Sequence, residues 1–247
     1  MKRYETYHTK DLTEMHLYRF IQKEFLFQFL EKKAIWFSRA DGFGDKMECV
    51  MLTDLLVEKP DFAELEARKK KFLISCWHLA DNESLALWDA YARSKEQRRV
   101  AAIRFKRRDL AMLFYHGIPM NEHQFDWRTR WIQGSVQYKD LTAMRRARDV
   151  EKAAVKYTVF RKERAFKYES EYRFVVQLPG PFAKDGFLFR LPEPLAVKFD
   201  VLVNPMLEAD EYNGLRQEIE ARGYGSHLQV SHLNRWLHPE LWSLSNR

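Results

Sequence analysis

Hydrophobic and polar positions form short blocks along this chain, and their period changes often. Leu17-Tyr18-Arg19-Phe20 reads as a short strand or the turn before a helix. From 21 to 33, Phe25, Phe29 and Leu30 recur at helical spacing with Leu26 beside them, which predicts an amphipathic helix. Ala34-Ile35-Trp36-Phe37-Ser38 is rich in strand formers and ends in the turn formers Asp41-Gly42-Phe43-Gly44-Asp45. A charged helix over 61–71 precedes a buried strand, Phe72-Leu73-Ile74-Ser75-Cys76-Trp77. Asp81 or Asn82 then caps a helix to about Arg93. Beyond it the pattern predicts strands over 101–105 and 131–138, a helix over 108–115 and a basic helix over 140–157. Strands follow over 172–178, 187–191 and 195–203. A helix over 208–222 is stopped by Gly223, and 227–231 is a last strand. The elements lack a regular βαβ rhythm. The expected fold is therefore α+β, one domain over 1–247 with a mixed, mostly antiparallel central sheet flanked by helices.

Composition narrows the class. Hydrophobic residues are 46% and aromatics 15%, too apolar for a disordered chain, and nine glycines are too few for collagen. Two cysteines, Cys49 and Cys76, cannot build a multi-bridge secreted framework. No apolar stretch follows the basic start, and no run approaches the ~20 residues of a membrane span. A cytoplasmic protein with no membrane partner is expected. Lys plus Arg total 42 against 35 acidic residues, a formal charge of +7, so an acidic partner such as nucleic acid or a small nucleotide suits the surface. The oligomeric state is not encoded in these features.

Three segments concentrate groups able to do chemistry. Arg19 and the run Ser38-Arg39 to Asp45 and Glu48 place a guanidinium, a hydroxyl and carboxylates on strands and a Gly-containing turn. A planar guanidinium fork suits a phosphate or carboxylate, and it equally suits a structural ion pair. On the helix after Asp81, Ser84, Trp88 and Tyr91 stand at i, i+4 and i+7, a face that stacks a planar ring or packs into a core. In Tyr168-Glu169-Ser170-Glu171-Tyr172-Arg173, strand periodicity puts Glu169, Glu171 and Arg173 on one face and Tyr172, Phe174 and Val176 on the other. Glutamate is depleted in strands, so this face marks a site or a cross-strand ion ladder.

Basic residues crowd 93–108, with Arg93, Lys95, Arg98, Arg99, Arg104, Lys106, Arg107 and Arg108 opposed only by Glu96. Arg145, Arg146, Arg148, Lys152 and Lys156 recur in the next basic stretch. Such patches bind phosphate backbones or form a solvated helix face. Phosphate-binding glycine loops, zinc spacings and a nucleophile elbow are missing, so no resident metal or cofactor is expected.

The three segments, in this order, resemble the bacterial family known as domain of unknown function 2971. The resemblance runs through Leu17-Tyr18-Arg19-Phe20, Trp36-Phe37-Ser38-Arg39 to Asp45 and Glu48, Ser75-Cys76-Trp77, Leu87-Trp88-Asp89-Ala90-Tyr91 and Lys167 to Arg173. It covers most of the chain, from about 17 to 231. The family's Asn-Asp-Pro-Phe-Glu-like run is replaced here by Gly44-Asp45-Lys46-Met47-Glu48. A looser analogy links the order Arg19, Ser38, Glu171 to ADP-ribosyltransferases. That analogy implies an NAD-consuming enzyme of toxin or phage-defence type. In it Arg19 holds an NAD phosphate, Ser38 supports a ribose, Glu171 stabilises an oxocarbenium-like transition state, and Trp88 or Tyr91 stacks the nicotinamide. Two other readings compete. One is a nucleic-acid binder or metal-dependent nuclease using Asp45, Glu48, Glu169 and Glu171. The other is a non-catalytic partner of a defence system.

Overall fold

The structure, a computed structural model, describes residues 3–7, 14–45, 49, 62–92, 100–119, 125–126, 128–141, 157–192 and 198–237. The strands are β1 (Arg3–Tyr7), β2 (His16–Ile21), β3 (Ala34–Arg39), β4 (Phe72–Ala80), β5 (Ala101–Lys106), β6 (Ile118–Pro119) and β7 (Arg130–Ser135). They continue with β8 (Gln137–Lys139), β9 (Arg161–Glu163), β10 (Glu171–Gln177), β11 (Gly186–Arg190), β12 (Asp200–Val203) and β13 (Leu228–Gln229). The helices are α1 (Lys23–Lys32), α2 (Phe62–Lys69), α3 (Leu85–Ala92), α4 (Arg107–His116), α5 (Ala209–Ala221) and α6 (Asn234–Leu237). The fold is α+β, with mixed and mostly antiparallel strand pairing and helices beside the strands, as the pattern predicts. The chain divides into two compact units. One comprises Met1–Asp11, Ile35–Trp77 and Gly117–Arg190, the other Leu12–Ala34, His78–His116 and Leu191–Arg247.

The first unit is mainly β. β10 pairs antiparallel with β7, and β1 joins β7 in parallel, Arg3 opposite Arg130 and Tyr7 opposite Gly134. Backbone crowding fixes Gly134, because a Cβ there would stand 2.0 Å from the Tyr7 carbonyl oxygen. The interior of β10 is buried on both faces, so Phe174 and Val176 on one side and Val175 on the other all enter apolar packing. β8 and β9 form a separate two-stranded parallel sheet with Tyr138 opposite Lys162. A six-residue 3-10 helix, Arg164–Glu169, follows β9 and is closed by Ser170 in the left-handed region at φ 43°.

In the second unit, β2 lies between the end of β4 and β5, with β12 and β13 beyond. α1 forms where an apolar stripe was expected, but its inward residues are Leu26, Phe29 and Leu30. Phe25 is half exposed, one position off the buried face. Lys33 ends the helix in the left-handed region, and its ammonium is held by the Leu30 carbonyl and the Tyr224 hydroxyl, each at 2.5 Å. α5 buries Tyr212, Leu215 and Ile219, and Gly223 ends it at φ 82° as predicted. The N-cap of α3 is Ser84, whose Oγ accepts from the Leu87 amide, rather than Asp81 or Asn82. The predicted strand over 195–203 is β12 from Asp200 onward, and 193–197 lie outside the described residues.

Candidate active site

Strand β10 begins at Glu171 and carries Arg173 two residues on, so both side chains leave the same face. Glu169 does not share that face as a strand residue. It ends the 3-10 helix, and the left-handed backbone at Ser170 turns the chain between the two glutamates. The strand reading of 168–170 is corrected by that turn, yet both carboxyls still reach one cation. Lys162 on β9 donates to Glu169 Oε2 at 2.5 Å and to Glu171 Oε1 at 2.8 Å. Arg173 donates from Nε to Glu171 Oε2 at 2.6 Å, and its second terminal nitrogen approaches the same oxygen at 2.5 Å. Its remaining terminal nitrogen donates to the Val159 carbonyl at 2.6 Å. The Tyr138 hydroxyl accepts the Glu171 amide proton at 2.7 Å, which anchors the first residue of β10 to β8. Glu163 braces the 3-10 helix at its other end by accepting from the Arg164 and Leu141 amides.

The cluster is buried to graded depth. Side-chain exposure is 1% at Arg173, 8% at Lys162, 10% at Glu171 and 18% at Glu169. This is not a ladder across a flat sheet, since its members come from a 3-10 helix, a small separate sheet and β10. The two carboxyls differ in charge. Burial opposes ionisation of Glu171, but Arg173, a hydrogen bond from Glu169 and Lys162 overcome it and hold that carboxyl below the usual range. Burial, reinforced by the hydrogen bond with Glu171, pushes Glu169 up to about 7 against the pull of Lys162. Burial also raises the Tyr138 hydroxyl, which stays neutral. One buried cluster thus holds a carboxyl whose ionised form two cations favour beside a carboxyl whose ionisation burial opposes.

The other predicted residues fall in several places. Ser38 sits on β3 opposite Ile74, partly buried, in the same unit. Arg39 forks onto Asp41 at 2.6 and 3.0 Å and donates to the carbonyls of Phe182, Ala183 and Lys184. Its guanidinium therefore clamps the 182–185 turn. Asp45 follows the short 3-10 turn Ala40–Gly42 and is partly buried. Arg19 belongs to the second unit, on β2 opposite Ile103. Trp88 is 0% exposed, meets Phe20 edge-to-face at 4.6 Å and donates its indole N–H to Glu83 at 2.8 Å. That packing corrects the stacking role expected of Trp88, because both ring faces are enclosed. Glu48, residues 93–99 and residues 142–156 lie outside the described residues, as does the side chain of Tyr91.

Sequence reasoning found Glu169, Glu171 and Arg173 and missed Lys162 and Tyr138. These stand 24 residues apart and meet only through the β8–β9 register, which no local periodicity announces. Among the described residues, no three His, Cys, Asp or Glu side chains are grouped to hold a metal ion, and no helix is long and apolar enough to cross a membrane. No family model matches the chain, and searches of curated proteins and of solved structures also found no match.

Proposed function

We propose that the chain cleaves the nicotinamide–ribose bond of NAD and passes the ADP-ribosyl group to water or to an acceptor nucleophile. The observation that carries this reading is the placement of Glu171, held by Lys162 and Arg173, beside Glu169 in one buried cluster. In the reaction the C1′–N bond breaks with its electrons moving to nicotinamide. Positive charge develops on the ribose, and a fixed carboxylate stabilises it without solvent reorganisation. Glu171 has that charge, and Lys162 and Arg173 hold its orientation. The nucleophile then bonds to C1′ and surrenders a proton, which a carboxyl titrating near neutrality is suited to take. Glu169 is that group.

The test is to incubate the purified chain with NAD and follow free nicotinamide. Release by wild type and its loss in Glu171→Gln support the reading. No release by wild type, or equal release by Glu171→Gln in a folded protein, refutes it and leaves the cluster as a buried ion network.

A further inference from the structure

We propose that Lys162 is the positioning residue of the carboxyl pair, drawing Glu169 and Glu171 onto one ammonium. This deepens the reading above and rests on Glu171 being the carboxylate of the reaction. Two glutamate carboxyls brought into hydrogen-bond contact in a buried place repel when both are charged. A cation touching both lets them stay together, and its ammonium stands at 2.5 Å from one and 2.8 Å from the other. The Phe166 ring lies 4.7 Å from that ammonium and covers it.

The groups facing Glu169 come from three elements: Lys162 on β9, Tyr138 on β8 and Glu171 on β10. The arrangement is asymmetric. Glu171 receives Lys162 on one oxygen and Arg173 on the other, whereas Glu169 meets Lys162 and the negative charge of Glu171. The doubly paired carboxyl stays ionised, and its neighbour carries the exchangeable proton. The register of Tyr138 opposite Lys162 fixes this geometry, because the same small sheet grips the Glu171 amide through Tyr138 and the two carboxyls through Lys162. Removing the ammonium takes a cation away from Glu169 while Arg173 keeps Glu171 charged beside it, so Glu169 holds its proton to higher pH.

The experiment reads protonation directly. The full chain is labelled at glutamate Cδ with ¹³C, and resonances are assigned with Glu169→Gln and Glu171→Gln. In wild type Glu169 is expected to titrate near pH 7 while Glu171 stays ionised. Lys162→Met is expected to raise the Glu169 midpoint by about one to three pH units. Lys162→Arg, which keeps the cation, is expected to hold it near the wild-type value. An unchanged midpoint in folded Lys162→Met overturns the proposal. So does a wild-type Glu169 that titrates at the ordinary 4.5, which decides the matter even where Lys162→Met does not fold. NAD plays no part in this measurement, so a failure of the NAD reading and a failure of the positioning role register separately.

Discussion

Replacing Arg173 with leucine removes a charge that is almost fully enclosed. The guanidinium makes two contacts with Glu171 Oε2, at 2.6 and 2.5 Å, and one with the Val159 carbonyl at 2.6 Å. Each charge-assisted hydrogen bond contributes about 1.5–3 kcal/mol, and breaking a buried pair from one side costs about 3–5 kcal/mol because the partner is left desolvated. Lys162 still touches Glu171 in the variant, so the sum of separate bonds is not reached and about 3–5 kcal/mol is the expected loss. For a chain of this size a stability change of 1 kcal/mol moves the melting temperature by about 2–4 °C, which predicts a fall of about 6–20 °C. The pH dependence follows from Glu171. Its folded-state pKa is depressed below 4.5, so the stability it confers is full above that value and is lost as pH falls further. The deficit of Arg173→Leu is therefore expected to be complete at pH 7 and to shrink below pH 4.5. Thermal melts by circular dichroism across this range read both effects, with Lys23→Ala as a control. That variant removes an exposed pair with Glu218 and is expected to cost at most about 1 kcal/mol. A loss in Arg173→Leu no larger than in the control would refute the reasoning.

Glu83→Ala strands two donors that meet its carboxylate at 2.8 Å, the Trp88 indole and the His232 amide, and is expected to cost about 2–4 kcal/mol with a red-shifted tryptophan emission. Glu83→Gln, which keeps an acceptor, is expected to recover part of the loss in the same melts. Burial, Arg104 and Lys106 depress the His16 imidazole below 6.5, so protonation favours the unfolded chain. Stability is expected to be full above pH 6.5 and to decline as pH falls beneath it, and His16→Gln should flatten that part of the melting profile. Gly134→Ala drives a methyl group against the Tyr7 carbonyl and is expected to release β1, seen as faster amide exchange over Tyr4–Tyr7. Unchanged exchange there would disprove the close approach.

Much of the architecture was legible because burial writes its period into the chain. β10 announces itself through Tyr172, Phe174 and Val176, and α5 through the Gly223 that stops it. In α1 the spacing picks out Phe29 and Leu30 correctly and misplaces only Phe25, which is as apolar as the residues that turn inward. The site was half legible. Glu169, Glu171 and Arg173 stood out as charges crowded before a hydrophobic strand. What joins them did not, because a left-handed serine obeys local sterics rather than any repeat, and Lys162 is one lysine among many until β8 pairs with β9. Trp88 shows the opposite error, where a helical aromatic stripe carries the same pattern for ligand stacking and for core packing.

The parallel pairing of β1 with β7 has a consequence for biosynthesis. Arg3 must wait for Arg130, its partner 127 residues later in the chain. At about 5–20 residues per second of translation, that is a delay of about 6–25 s during which β1 has no partner strand. The two units are also threaded through one another in sequence, each assembled from three separate stretches. Neither can close on the ribosome as a contiguous piece, and neither can be cut out as a single fragment for expression. Each unit therefore reaches its native state only after its last stretch, Gly117–Arg190 or Leu191–Arg247, has been made.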